Sequence, residues 1–420
     1  MSFFALRLCL AVSLLAAKSP TASAQNEPCW SEKIARRNAA RFPDLAEKRA
    51  ELSHDIAESA QNFQAQATSR SVVSIPVVVH VVYKTNLDNI SEGQIRSQID
   101  ALNADYRKLN PNAASVPPDF KPFAADMGIE FCLASRAPDG QPTDGITRTQ
   151  TIFDQIGQDY SPDGKPRICY TALGGADAWD AARYLNIWVG RIGDDILGFA
   201  TFPGTVPGSE DGVVIDPRYF GTKGLAALYP PHHLGRTATH EVGHFFDLYH
   251  VWGGSENVCS DDDGVGDTPV QRGPYEDCPV HPQLSCGNRA MFMNFMDYTD
   301  DACMSLFTEG QKARFWGALQ MARPGLLTSD GCKTVSVNDE ISVGKLTIYP
   351  NPASEHLAVQ LPENEAFEPK NLLLANALGQ VFQPIEIRHN GQSLELDIAD
   401  LPPGWYFLKI GNRAARFVKI

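Results

Sequence analysis

Residues 237–250 read TATHEVGHFFDLYH, and no other segment constrains the fold of this chain as much. Positions i and i+4 share one face of a helix, so a helix here directs the imidazoles of His240 and His244 at one point. Glu241 lies beside that face. His250, six residues on, falls off the face of a straight helix, so the chain must turn near Asp247–Leu248 to bring it back. Three neutral imidazoles leave the fourth position of a tetrahedral zinc ion for water, as catalytic sites require, and Glu241 is placed to act as general base on that water. Zinc lowers the pKa of such a water to about 7 and polarises a carbonyl. A surface helix with three solvated histidines is the bland alternative. It leaves the apolar Phe245, Phe246 and Leu248 unexplained.

A second segment, NFMDY at 294–298, fits the same site. Met296 suits a soft apolar floor under the imidazoles, although taken alone it is ordinary core. Tyr298 can aim its hydroxyl at a developing oxyanion. Between the two segments, residues 259–269 read CSDDDGVGDTP. Closely spaced carboxylates with glycines suit all-oxygen coordination of calcium, and a solvated acidic loop is the alternative.

The N-terminus points to export. Arg7, an apolar run from Leu8 to Ala17 and the A-x-A-like Ala22/Ala24 pair form a secretory signal over 1–24. The apolar run is too short for a stable membrane anchor, and no later segment has the roughly 18 apolar residues of a transmembrane helix. The chain carries a net charge of −14, and loss of Arg7 and Lys18 takes it to −16. That balance, without a basic stripe, argues against nucleic-acid binding. Eight cysteines outlast the signal, an even count that suits disulfides in an exported chain.

Residues 25–70 are charged and Ala-rich with few large apolar side chains, as in a loosely attached helical pro-segment. Its polar end places processing near Arg70–Ser71. From Ile75 the texture changes. IPVVVHVVY at 75–83 is a buried strand. A helix follows from Ser91, with Gln94 as its capping-box partner. Further strands are expected at Ile129–Leu133, Leu185–Val189, Gly198–Phe202 and Gly212–Ile215. Residues 71–330 are therefore a mixed α/β unit, and 331–340 a polar linker. Residues 341–420 show about seven short strands between turn signals, the pattern of a small β-sandwich.

HEVGHFFDLYH with NFMDYTDDACM resembles the metzincin zinc peptidases, specifically the pappalysin (cytophagalysin-like) family. IPVVVHVVY, YLNIWVG at 184–190, LGFATFPG at 197–204, DGVVID at 211–216 and LGRTATHE at 234–241 extend the likeness over essentially all of 71–330. The resemblance implies a two-lobed endopeptidase made as a zymogen, with protein or peptide substrates. His240, His244 and His250 would bind zinc, Glu241 would be the general base, Met296 the Met-turn, and Tyr298 a stabiliser of the tetrahedral intermediate. An extended substrate would pair with the strand near Gly198–Phe202. The resemblance also implies calcium at Asp263, the Val265 carbonyl, Asp267 and Thr268, and the pairs Cys259–Cys286 and Cys278–Cys303. Cys29 would place a thiolate on the zinc, in which case one of Cys132, Cys169 and Cys332 stays free. If Cys29 is structural, all eight can pair.

Two departures matter. Asp247 stands where the family has Gly, in a turn that wants positive φ. Met304, after Cys303, stands where relatives that prefer Arg after the scissile bond carry an acid, so an apolar residue is expected there, unless Asp300 or Asp301 turns into the pocket. An adhesin or scaffold on a peptidase fold is the competing reading, should the Asp247 turn fail to support zinc. The C-terminal segments LTIYPNPASEHL, LLLANALGQVF, LPPGWYFLKI and ARFVKI resemble the sorting domain of the type IX secretion system of Bacteroidetes-type bacteria. That implies contact with the export machinery and a secreted or cell-surface product. A carbohydrate- or protein-binding module, using aromatics such as Trp405 and Tyr406, is the alternative.

Overall fold

The computed structural model describes residues 28–65, 72–193, 196–333, 346–361, 372–376, 380–382, 387–389, 393–411 and 413–420. The expected signal segment, the expected processing site at Arg70–Ser71 and most of the expected linker lie outside these residues. The chain divides into two units at Thr334/Val335.

The first unit begins with helices α1 (Ser31–Arg41) and α2 (Pro43–Ala65), followed by β1 (Val73–Tyr83) and α3 (Glu92–Tyr106). β1 is buried without interruption from Ile75 to Val82, as its β-branched run requires, and so takes neighbours on both sides. β2 (Ile129–Leu133) and β3 (Ile146–Gln150) pair in parallel with successive halves of one side. β4 (Leu185–Val189) pairs in parallel along the other. β5 (Gly198–Ala200) is the antiparallel edge, joined to the sheet through β6 (Val213–Ile215), which lies parallel to β4.

Ser91 caps α3, accepting the Gln94 amide at 3.2 Å. Gln94 does not complete the expected capping box. Its side-chain amide donates instead to the carbonyls of Pro217 and Phe220, both at 2.9 Å, because the loop after β6 has two carbonyls that need donors.

Residues 28–65, expected to be a loosely attached pro-segment, are closely packed on the rest of the first unit. α2 lies on α5 (Glu309–Met321), with Phe63 stacked on Trp316 at 5.5 Å and Ile56 fully buried. A Cβ at Gly317 would fall 2.5 Å from the Ile56 carbonyl, so the backbones meet there. α1 buries Ile34 in a cluster with Ile168, Trp188 and Phe199. Arg41 makes a paired contact with Glu210, at 2.7 and 2.9 Å. Few apolar residues suffice because ion pairs and close helix packing supply the rest.

His80, at the centre of β1, is buried between Thr147 Oγ1 (2.8 Å) and Asn186 Oδ1 (3.0 Å) and stacks on Trp188. Burial pushes its pKa down to about 4. The folded state therefore favours the neutral ring, and this contribution is complete above the unfolded value and lost as pH falls toward 4. From pH 7 to pH 5 the loss is about 2 kcal/mol. The stability gap between the wild type and His80→Asn should narrow by that amount in urea unfolding at the two pH values. A gap that does not change with pH would count against it.

A two-residue hairpin, β7 (Leu284–Ser285) and β8 (Asn288–Arg289), turns at Cys286. Among the described residues, the second unit has two four-stranded antiparallel sheets. One holds β9 (Thr347–Tyr349), β10 (His356–Gln360), β13 (Ile387–His389) and β14 (Ser393–Asp397). The other holds β11 (Leu372–Asn376), β12 (Val381–Phe382), β15 (Gly404–Ile410) and β16 (Arg413–Lys419). β12 and β13, close in sequence, lie in different sheets. Leu357, Leu374, Leu396, Leu408 and Phe417 form the core. Tyr406 belongs to it, stacked on Phe417, whereas Trp405 is half exposed.

Candidate active site

Helix α4 (Arg236–Phe245) is buried at every position. α3 satisfies its polar side: Asp105 accepts from Thr239 Oγ1 at 2.8 Å and pairs with Arg236, and the Tyr106 hydroxyl donates to the Thr239 carbonyl. The chain then turns through Asp247, whose φ is 70°. The turn that brings His250 back therefore forms with Asp in place of Gly, which removes the ground for a scaffold lacking the metal site. His244 Nε2 lies 3.0 Å from His240 Nε2 and 3.1 Å from His250 Nε2.

Each ring is oriented through its other nitrogen: His240 Nδ1 by the Phe295 carbonyl (2.8 Å), His244 Nδ1 by the Leu248 carbonyl (2.7 Å), His250 Nδ1 by Glu32 (3.1 Å). Such outer partners fix ring tautomer and direction. Burial, with mutual repulsion second, lowers His240 to about 3 and His244 well below its ordinary value. His240 and His244 are thus held neutral, the form that binds metal.

Met296 is fully buried beneath α4. A Cβ at position 243 would come within 2.5 Å of Met296 Sδ, so Gly243 is what lets Met296 approach. The Tyr298 hydroxyl sits 3.1 Å from His250 Nε2. Trp252 stacks on the outer face of His250 at 4.5 Å.

Residues 28–30 lie along the free edge of β5 in parallel, with Cys29 opposite Gly198. Leu197 donates to the Pro28 carbonyl (2.8 Å) and Trp30 to the Gly198 carbonyl (3.2 Å). Cys29 and Ser31 both turn to Glu241, whose Oε2 accepts Ser31 Oγ at 2.8 Å and Cys29 Sγ at 3.4 Å. Burial raises Glu241 to about 8, against the lowering by these two contacts. Burial and then Glu241 push the Cys29 thiol well up, a bias that a divalent cation inverts. Cys29 Sγ and the three imidazole nitrogens lie within 4.8 Å of one another. Three nitrogens and one sulfur make a complete tetrahedral donor set for zinc, so the residues fit the ion.

The sequence offered no direct sign of Ser31, Glu32 or Arg49 at the site. Ser31 was within reach of a period-2 argument, since it shares a face with Cys29 in an extended segment. The pairing of Arg49 with Asp247 had no local signal.

Met304 lines a pocket with Leu197, His240 and Glu241. Asp301 lines it too, but its carboxylate is held by the Leu234 amide at 2.6 Å. In the acidic loop, Asp263 Oδ1 accepts from the Val265 amide (3.0 Å) and Thr268 Oγ1 (2.6 Å). Asp263 Oδ2 is buried without a partner. Asp267 faces the start of α5, accepting from Thr308 Oγ1 and the Gly310 amide. Disulfides join Cys259 to Cys286, Cys278 to Cys303 and Cys132 to Cys332. Cys29 and Cys169 are buried thiols. The Cys132–Cys332 bond and the hydrogen bond from Ser135 N to Gly331 O (2.8 Å) tie residues 331–332 to β2 and the residues just after it, so the expected linker starts later than position 332.

The sequence profile of the pregnancy-associated plasma protein-A peptidases matches residues 174–320, and that of secretion system C-terminal sorting domains matches 347–420. An extracellular metalloprotease of Arthroderma otae is 31% identical over 264 residues, 60% of this chain and 80% of the relative. One from Pyricularia oryzae is 29% identical over 67% of this chain and 87% of its own. Among solved structures, mature Tannerella forsythia mirolysin with a cleaved peptide is 45% identical (TM-score 0.57), covering 62% of this chain and all of that one. A glutamate-to-alanine variant of Tannerella forsythia promirolysin is 40% identical (TM-score 0.62), covering 72% of this chain and 97% of that one.

Proposed function

Because the chain belongs to the pappalysin family of peptidases and is a secreted zinc metallopeptidase made as a zymogen, we propose that Glu241 is its general base and that His240, His244 and His250 hold the catalytic zinc. The convergence of three oriented imidazole nitrogens beside a buried carboxylate carries this reading. A zinc ion held there supplies Lewis acidity to the scissile carbonyl and to the attacking water. Glu241 takes the proton of that water and delivers it to the leaving amine. Tyr298 donates to the oxygen on which charge develops. The β5 groups that bind residues 28–30, including the Leu197 amide and the Gly198 carbonyl, receive the extended peptide instead.

Residues 1–24 are the signal, 25–70 the pro-segment, 71–332 the catalytic domain, 333–340 the linker and 341–420 the sorting domain. The promirolysin match extends over about a tenth more of this chain than the mature one, in keeping with a pro-segment of this size. Processing near Arg70–Ser71 falls between α2 and β1 and severs neither. Cys29 is the latency ligand. Calcium sits at Asp263, Val265, Asp267 and Thr268, supported by the unpartnered buried oxygen of Asp263. Asp267 would then serve both the ion and the start of α5. The sorting domain directs export through the type IX machinery. Among the described residues no helix is long and apolar enough to cross a membrane.

The purified mature protein should hold one zinc per chain. A chelator should remove it together with peptide hydrolysis, and added zinc should restore both. Hydrolysis that survives zinc removal would overturn the reading.

A further inference from the structure

Arg49 of α2 reaches from the pro-segment to the turn that follows α4. Its Nη2 donates to Asp247 Oδ1 and to the Tyr249 hydroxyl, the latter at 2.9 Å, while its Nη1 is buried without a hydrogen bond. One nitrogen makes both contacts, so a lysine ammonium can reproduce them. Asp247 is fully buried, and its second oxygen pairs with Arg314 at 2.9 Å. The Tyr249 ring stacks on Phe202 at 5.2 Å, and Phe202 meets His244 edge-on at 5.2 Å, so this corner adjoins the metal ligands. A cavity of about 690 Å³ opens beside Arg49, and its lining includes Phe202, Tyr249 and Asp261, Asp262 and Asp263.

When the pro-segment leaves, Asp247 keeps Arg314 but loses Arg49. A buried carboxylate oxygen and a tyrosine hydroxyl then face an opening walled by two aromatic rings. A buried charge that loses its partner is costly, and an incoming cation removes that cost. Aromatic walls suit the alkyl stem and charged head of Arg or Lys. In the lining that outlasts processing, Asp261 and Asp262 stand against Arg314 even with Asp263 taken up by calcium, so the local field also favours a cation. The Met304 pocket adjoins Leu197, before β5, whereas this one adjoins Phe202, after it. With Met304 beneath the residue after the scissile bond, the Arg49 corner receives a residue before it.

We propose that Asp247 and Tyr249 form a subsite of the mature enzyme for an Arg or Lys side chain N-terminal to the scissile bond, a place that Arg49 fills in the zymogen. This rests on the peptidase reading and on removal of the pro-segment.

The test is a peptide library read with the mature enzyme, comparing kcat/KM for Arg or Lys against Ala at each of the three positions before the cut. The expected result is about a tenfold preference for the basic residue at one of them. That ratio should fall toward unity in Asp247→Asn, whose side chain tolerates positive φ, and by a smaller factor in Tyr249→Phe. The Ala peptide is the internal reference, so damage to the turn that slows both substrates leaves the ratio in place. Tyr249→Phe carries the test alone if Asp247→Asn does not fold. An active, chelator-sensitive enzyme with no such preference, or with a preference unchanged in the variants that fold, overturns this inference only. A wild type without chelator-sensitive hydrolysis overturns the peptidase reading beneath it.

Discussion

Glu241→Ala should lower peptide hydrolysis by roughly 10²–10⁴-fold, the usual worth of a general base, while leaving one zinc per chain. The two outcomes separate because the imidazoles do not depend on the carboxylate. His240 and His244 are held by backbone carbonyls, and His250 by Glu32 in the zymogen and by the stacked Trp252 in either form. The substitution leaves Met296 beneath α4 and the Asp105–Arg236–Thr239 contacts untouched. It removes the acceptor for Ser31 and Cys29, and because turnover is lost the variant should accumulate as unprocessed zymogen if maturation is autolytic. Zinc analysis beside a turnover assay decides the matter. Near-normal turnover with zinc retained would assign the proton transfer to another group, and loss of zinc would make Glu241 part of the metal cradle instead.

What the sequence showed and what it hid divide along physical lines. β1, β2 and β4 were legible because their apolar runs are local, and the imidazole geometry because one helix and one turn build it. β3 was missed: its sequence, ITRTQ, is only partly buried, and nothing in five such residues distinguishes an edge strand from a loop. The Asp247 turn was recognised as an exception to the family, but not its remedy. The left-handed residue is buried and shared between Arg49 and Arg314, residues 198 positions before it and 67 after. The close docking of residues 28–65 is hidden from the sequence for the same reason. Their apolar content is low, and Arg41–Glu210 and Arg49–Asp247 are pairings that only the folded chain brings together. Composition measures how much core a segment can bury alone. It carries no information about a partner surface already made by the rest of the chain.

Cys29→Ala should give a zymogen that is active before processing, with hydrolysis of a short peptide raised roughly tenfold or more and maturation correspondingly faster. The sulfur is the fourth member of the donor set and is tethered at β5 by the Pro28 and Trp30 backbone contacts, so it competes with water at high effective concentration. Alanine ends that competition without unfolding the segment. Ser31 still reaches Glu241 and the Ala200 amide, Arg41 still pairs with Glu210, and Ile34 and Ile56 remain buried. Those anchors should keep large substrates out, so the gain should be greater for a short peptide than for a folded protein. Cys29→Ser should fall between the wild type and alanine, because a hydroxyl is a weaker zinc ligand than a thiolate. Once processed, all three forms should have identical kcat/KM, since residue 29 leaves with the pro-segment. Equal latency in Cys29→Ala and the wild type would show that steric coverage by α1 and α2 suffices and that the thiol serves only to fill the space beside Glu241.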